Sequence, residues 1–436
     1  MAPGGDSLDG ILNQITTSNN PNALNHTLRN ALPKESRDTI LASSLSGGQD
    51  PLSVLDMREN TLGVLYILAA RLSTQSTCGP PPWPLIEEFC HTFRPEHARL
   101  APDRITVLAK GLVALAEHLQ SPKLAIQPLY DLVRRYPPHP SYLTTLHSVF
   151  VQACVTNRHF TAALPVLEQP IANIDTDLSD LTYNDNLVYH YTGGVAFAAL
   201  KRWAEAEEFF EICVSSPGAV AAALQLEALK KLKLVQLIAT GKTSSLPKYT
   251  HPSLPRLLKG TPYSALINAY PHDARVLGEV YERERQLFAT EKTLGLVQQA
   301  IDRAPRWALK KLTGTYVTLG LADIARAVRI NDEAEVRQLI LSMIESNDIS
   351  AQISADGTVT FSDPPPQFTK AQVDRVLLDV QAQTAALGEL EREVGRSKEF
   401  LGKAVKTRED TAWVPQSDED VFTNQAPAWT EDSAFS

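Results

Sequence analysis

Gly241-Lys242-Thr243, inside the stretch LVQLIATGKTSSLPKYT at 234–250, has the ending of a phosphate-binding loop. Such a loop needs another glycine five residues before the second, so that bare backbone N–H groups can wrap a phosphate, and a strand leading into it. Gln236 stands where the first glycine belongs, and the run 219–240 places its apolar residues at helical spacing. These residues predict a helix stopped by Gly241 as its C-terminal cap, followed by a polar linker into Pro247, and no nucleotide site.

The other reactive side chains form no constellation. The ten histidines make neither H-E-x-x-H nor a His-x-His pair. His190, in YHYTGG, falls within a helical run, where packing or a hydrogen bond is its expected role. Cys78, Cys90, Cys154 and Cys213 lie far apart with no C-x-x-C pair. They are expected as buried, reduced thiols and not as a metal site or a disulfide framework. Cys90 and His91 are neighbours in sequence, but adjacent helical positions diverge by about 100°, so two such short side chains do not easily act as a pair. No G-x-S-x-G is present and no cysteine has a catalytic flank. The residues call for no catalytic group, no metal and no cofactor.

Length and charge say what kind of protein this is. The 436 residues suffice for two or three domains with a substantial core, and 43% hydrophobic with 21% charged residues is ordinary globular composition. The net charge of −9 is uneven. Nothing after Arg408 is basic, and residues 409–436 hold seven acids, which leaves only −2 for residues 1–408. A body so near neutrality argues against electrostatic capture of nucleic acid or anionic lipid. The start, MAPGGDSLDG, lacks the basic and apolar regions of a signal peptide, and the longest apolar stretch, 62–72, is too short to span a bilayer. A soluble intracellular protein is expected.

Helices dominate the pattern. They are expected at about 53–73, 83–93, 103–119, 122–136, 141–156, 160–168, 182–200, 203–214 and 219–240, punctuated by GPPPWP at 79–84 and YPPHP at 136–140. No strand-like alternation stands out before residue 349. Faint repeats run through the helices: RHFTAALPVL at 158–167 aligns with KRWAEAEEFF at 201–210, matching Phe160 to Trp203, Ala163 to Ala206 and Leu167 to Phe210. LAIQPLY at 124–130 aligns Pro128 with Pro165. Gly194, Phe197, Ala206 and Phe210 fall at the Gly, aromatic, Ala and Phe positions of the tetratricopeptide pattern, where small residues let paired helices approach and aromatics fill the gap. A right-handed stack of helical hairpins at 41–240 is expected, with a plain helical bundle as the alternative. Residues 1–40 are expected to be partly ordered, and 241–305 to form the helical part of a domain that a further element at 306–363 completes.

The texture changes near Tyr316. A helix is expected around Trp307 to Leu312, a short one at Leu321–Val328, and a third after Asn331, read as its N-cap with Asp332 and Glu333 in the first turn. Val336, Leu339, Ile340, Met343 and Ile344 make that helix's apolar face. In ISAQISADGTVTF, Ile349, Ala351 and Ile353 alternate with polar residues, Asp356-Gly357 turns the chain, and Val359 and Phe361 alternate on the return. Three helices and a hairpin make a winged helix at 306–363. Its would-be recognition helix, 332–345, sums to −3, and 307–361 holds five basic and seven acidic residues. Phosphate contact needs the opposite sign, so this winged helix is expected to bind protein.

After Pro364–Pro366, Thr369-x-x-Gln372 is a capping box. Val373, Val380, Leu387, Val394 and Leu401 fall seven apart, with Val376, Leu390 and Ala404 on the companion position and Gln383 and Ser397 interrupting it. One helix over 369–408 is expected, with an apolar seam that a partner covers; folding back on its own chain is the alternative. The acidic 409–436, with Trp413, Phe422, Trp429 and Phe435, is expected to be disordered and to carry a short docking motif.

Helical repeats, then a winged helix, then a long terminal helix resemble the PCI-domain family, scaffold subunits shared by the proteasome lid, the COP-nine signalosome and a large translation initiation factor. Among these, the sequence is most similar to signalosome members. The likeness lies in DNLVYHYTGGVAFAALKRWAEAEEFFEICVSSP (185–217), LEALKKLKLVQLIATGK (226–242), LPKYT (246–250), LVQQAIDRAPRWALKKLTGTYVTLGLADIARAV (296–328), LILSMIESNDISAQI (339–353) and DGTVTF (356–361). It covers residues 140 to 365 well and the N-terminal third in general character.

The resemblance implies a non-catalytic subunit of a complex that removes a ubiquitin-like modifier from cullins and so regulates cullin–RING ubiquitin ligases. The E…H-x-H…S-x-x-D signature of the family's metalloprotease is absent from this chain. The resemblance further implies a hetero-oligomer located in cytoplasm and nucleus, with other PCI and MPN subunits as partners, cullin–RING ligases beyond them, and neither nucleic acid nor membrane. The wing strands, with Ile349, Ile353, Val359 and Phe361, are expected at a subunit contact. So is the seam of Val373, Val376, Val380, Leu387, Leu390, Val394 and Leu401, entering a shared bundle. A subunit of the proteasome lid or of a translation factor, and a nucleic-acid-binding PCI protein of the messenger-RNA-export type, remain as alternatives.

Overall fold

The computed structural model describes residues 8–18, 20–30, 34–74, 79–363 and 368–403. The chain divides into two units, one ending at Phe361 and one beginning at Ser362. The acidic tail, Cys78, the proline stop at 364–366 and Ala404 lie outside the described residues.

In the first unit the helices follow one another in packed pairs. Three open the chain: α1 (Leu8–Thr17), α2 (Pro21–Asn30) and α3 (Lys34–Leu41). The sequence patterns placed no helix here, yet Leu8, Ile11 and Ile15, then Leu24 and Leu28, are buried at helical spacing. They rest against α4 (Thr61–Ser73), apolar on every side and buried from Thr61 to Arg71. Gly63 of α4 allows this approach, because a Cβ there would lie 2.5 Å from Ile15 Cγ2. The helix begins eight residues later than expected, since Asp50 caps a short 3-10 turn at Pro51–Ser53 and residues 54–60 turn before α4.

The series continues through α5 (Trp83–Thr92), α6 (Pro95–Ala98), α7 (Pro102–His118), α8 (Ile126–Arg135), α9 (Thr145–Thr156), α10 (Phe160–Leu167), α11 (Tyr183–Ala199), α12 (Trp203–Ser215) and α13 (Ala223–Thr240). Each of α9, α11, α12 and α13 packs on the next. The α11–α12 pair shows why the repeat wants its small residues. A Cβ on Gly194 would sit 2.8 Å from Phe210 Cδ1, and one on Gly193 would sit 2.5 Å from Phe209 Cδ1. Ala163, Ala206, Phe197 and Phe210 are all buried.

Among the described residues three short strands lie before residue 349, where no alternation stands out in the sequence. Tyr142–Leu143 (β1) and Asn173–Ile174 (β2) pair in parallel, with Tyr142 opposite Asn173 and Leu143 opposite Ile174. Thr318–Gly320 is β3. Strands of two or three residues are too short for alternation to register in sequence. The helix expected at 141–156 accordingly starts at Thr145 behind a Thr144 cap.

Beyond α13 come α14 (Ser253–Lys259), α15 (Pro262–Ala269), α16 (Ala274–Arg283), α17 (Arg285–Thr290) and the long α18 (Leu294–Thr313). Helix α18 joins two cores. Val297, Ala300 and Ala304 belong to the core shared with the preceding helices, and Ala308 and Leu309 to the core of the winged helix. The helix expected around 307–312 is thus the last turns of a 20-residue element.

The winged helix continues with β3, α19 (Leu321–Val328), α20 (Glu333–Glu345), β4 (Ser350–Ile353) and β5 (Thr358–Ser362), the sheet order being β3-β5-β4. Strands β3 and β5 are antiparallel, with Leu319 opposite Val359. The turn uses Gly357 at φ +81, where only glycine is free of strain. The Asp356 carboxylate accepts from the Thr358 N–H at 3.0 Å. The cap of α20 is Asp332 and not Asn331: its side chain accepts from the Ala334 N–H at 2.9 Å, placing a carboxylate where the helix dipole favours one.

In the second unit Thr369 caps α21 (Lys370–Arg396) through the expected box, the Thr369 N–H donating to Gln372 Oε1 at 2.8 Å. The helix does not run to residue 404. Ser397 leaves helical geometry at φ −65, ψ 138, and its hydroxyl accepts from the Phe400 N–H at 3.2 Å, starting a fresh turn at 398–403. A serine whose oxygen can cap competes with continuing the helix.

Candidate interaction surfaces

At Gly241 the structure answers the nucleotide question. Gly241 adopts φ 76, ψ 1, and its N–H donates back to the Leu237 carbonyl at 3.2 Å, so it is the left-handed cap of α13. The amide a phosphate would use is already spent. Gln236 is 1% exposed, bonded to Glu207 and Ser244 inside the packed helix, and cannot open into a loop. A Cβ on Gly241 would stand 2.6 Å from the Trp307 ring of α18, whose Nε1 donates to Ile238 O at 3.3 Å.

The remaining reactive groups are structural. His190 is buried, its Nδ1 3.0 Å from Asn186 O, and lies edge-on to Tyr189. Burial lowers its pKa. His147 has been drawn inward too: its Nδ1 accepts from the Thr144 N–H at 3.1 Å, and burial pushes its pKa down to about 4, so it is neutral. Cys90, Cys154 and Cys213 are buried and free, and burial alone pushes the Cys154 and Cys213 thiols up to about 12. Cys90 is fully buried while the His91 side chain is 78% exposed beside Asp131, so the two point apart. Among the described residues no cluster of His, Cys, Asp or Glu could hold a metal ion.

What the chain offers instead is surface. In the wing, Ile349, Val359 and Phe361 are buried and Ile353 is half-buried, all within the winged-helix core. These side chains hold the hairpin onto α19 and α20. Among the described residues β3 and β4 are the outer strands of this sheet, so what the wing presents at its margins is strand backbone. Helix α20 faces solvent with Asp332, Glu333, Glu335 and Glu345 all exposed, alongside Leu341.

On α21 no residue is buried. Val373, Val376, Val380, Leu387, Leu390 and Val394 run along one face, and Leu401 follows beyond the break at Ser397. Leu377, four residues after Val373, widens the stripe, a position the strict heptad count passes over. Twenty-seven residues of helix give a stripe about 40 Å long. Covering each Val or Leu would be worth about 1.5–3 kcal/mol.

Comparison with known proteins bears on what covers such surfaces. Residues 25–254 match the family described as COP9 signalosome complex subunit 3, N-terminal helical repeats, and residues 270–363 match the PCI domain. The chain is 27% identical over 438 residues to COP9 signalosome complex subunit 3 of Drosophila melanogaster, covering 93% of this chain and 96% of that one. It is 28% identical over 401 residues to the protein of that name from Dictyostelium discoideum, covering 89% and 94%. The likeness therefore reaches well into the N-terminal third, where α2, which the sequence patterns left unassigned, shares a core with the expected helix α4. With helical repeats matched over more than half its length and a PCI winged helix behind them, the chain belongs to the COP9 signalosome subunit 3 family.

Proposed function

We propose that this chain is a non-catalytic scaffold subunit of the COP9 signalosome, working where that complex removes a ubiquitin-like modifier from cullins, in cytoplasm and nucleus. The observation that carries the reading is the uncovered apolar stripe on α21 in a chain of this family. A helix with a buried-type face on its outside is built to be completed by sister helices, as in a bundle. The outer strands of the wing lie at the margins of the described sheet, the position from which strand addition by an adjacent PCI subunit would extend it. The helical repeats present further surface to a neighbouring subunit or to a ligase. The exposed carboxylates of α20 speak against a nucleic-acid role for the winged helix.

The test is purification of the tagged chain from cells with mass spectrometry of what accompanies it. PCI and MPN subunits of the signalosome are expected, and a deletion of 369–408 is expected to lose them while the repeats stay folded. Recovery of proteasome-lid or translation-factor subunits in their place would redirect the assignment. The purified chain alone is expected to leave a modified cullin intact; turnover by it would overturn the non-catalytic reading.

A further inference from the structure

The residues that imitate a phosphate loop take part in a different feature. The end of α13, the turn after α15 and the last turns of α18 enclose a cleft of about 670 Å³. Leu237, Ile267, Tyr270 and Trp307 give it apolar and aromatic walls, and Lys242, Lys310, Lys311 and His272 give it charge. Among the described residues no acidic one lines it. Lys242, Lys310, Lys311 and His272 are all exposed. Among the described residues none of the three lysines has a carboxylate partner, although ion pairs lie elsewhere on the same surface, such as Arg329 with Asp273.

Their contacts are with each other's surroundings. Lys310 Nζ lies 5.2 Å from the Trp307 ring centroid, and Lys311 Nζ lies 3.3 Å from His272 Nε2. Tyr270, 9% exposed and part of the lining, keeps its hydroxyl buried without a hydrogen-bond partner. Two lysines at the C-terminus of α18 are what its dipole favours. Lys242, just past the Gly241 cap, is favoured in the same way by α13, and the fold brings these two helix ends, far apart in sequence, to one cleft.

We propose that this cleft docks a phosphorylated serine or threonine segment of a partner protein. The phosphate would be held by Lys242, Lys310 and Lys311 and an adjoining apolar side chain would lie against Trp307 and Ile267. Charge complementarity carries the choice. A phosphate monoester brings a charge of about −1.5 to −2 and three acceptor oxygens, which suits three ammonium groups better than one carboxylate does. The spent amide of Gly241 argues against a nucleotide, and the apolar wall leaves room for more than a free anion.

The experiment uses the full-length chain and a fluorescein-labelled peptide pool with phosphothreonine fixed among degenerate residues, read by polarisation at low salt. Matched pools carry threonine or glutamate at the fixed position. The phosphothreonine pool is expected to bind at least about tenfold more tightly than either. The triple Lys242→Gln, Lys310→Gln, Lys311→Gln variant is expected to lose about tenfold or more, and the triple Arg variant to retain binding. Lys123→Gln, Lys201→Gln and Lys259→Gln together are expected to change nothing. Ile267→Glu, which adds a carboxylate to the wall, is expected to lose binding as the triple Gln variant does. The proposal is overturned if no pool binds, if the glutamate pool binds equally, if inorganic phosphate alone reproduces the affinity, or if both cleft variants bind as wild type does.

Discussion

Replacing Gly194 by Ala puts a methyl group where helices α11 and α12 meet. The added Cβ would lie 2.8 Å from both Cδ1 and Cε1 of Phe210 and 3.0 Å from its Cγ. Phe210 is 0% exposed, so its ring has no solvent to retreat into, and one helix must shift. Overpacking of this kind costs about 1–3 kcal/mol, while Gly to Ala within a helix returns about 1 kcal/mol of propensity. The net expectation is a loss of up to about 2 kcal/mol, or a fall in Tm of up to about 8 °C for a cooperative unit of this size, against a control that should gain.

Gly278→Ala supplies the control with identical chemistry. Gly278 lies inside α16, where an added Cβ meets nothing within 4 Å, so that variant is expected to be neutral or stabilised by up to about 1 kcal/mol. Thermal unfolding followed by circular dichroism would compare the two, with amide exchange on α11 and α12 to locate the loss. If Gly194→Ala proved as stable as Gly278→Ala, close helix approach would not be what the glycine provides.

Three further outcomes are expected. Val380→Asp with Leu387→Asp places charges in the α21 stripe and should release the chain from its complex, with unchanged helical signal; unaltered co-purification would refute the bundle role. Gly241→Ala meets both a left-handed backbone and the Trp307 ring 2.6 Å away, and should cost about 1–3 kcal/mol in urea unfolding; a wild-type midpoint would show that neither constraint binds. His147, held neutral with a pKa near 4 against 6.5 in the unfolded chain, takes up protons on unfolding between those values. Its contribution is therefore present above about pH 6.5 and is lost on acidification by about 1.4 kcal/mol per pH unit down to about pH 4. The stability gap between wild type and His147→Asn should narrow from pH 7.5 to 5, and a constant gap would count against the buried neutral histidine.

Much of this architecture was legible before any coordinates because its signals are local. A capping box at Thr369 and Gln372, the Asp356-Gly357 turn, and apolar residues three and four apart on α20 depend on neighbours within one or two turns. The stripe on α21 is likewise a periodicity, visible whether or not anything covers it. The resemblance to PCI proteins rests on strings of this kind. The N-terminal helices escaped notice although Leu8, Ile11 and Ile15 carry the same spacing, because the segment is short and polar between them. The strands β1, β2 and β3 escaped because two or three residues hold no period.

By itself the sequence determined that Gly241 ends a helix, that a hairpin follows α20, and that α21 shows an apolar face. Each follows from backbone preference and the spacing of side chains along one segment. Only the tertiary structure decided that Trp307 occupies the space a Cβ on Gly241 would need. It alone turned Ile349, Val359 and Phe361 inward so that what the wing presents at its margins is strand backbone, and it alone drew Lys242 toward Lys310 and Lys311 around one cleft. The physical reason is range. Propensity and periodicity act within a few residues, whereas packing and charge act between groups that the chain brings together from anywhere along its length.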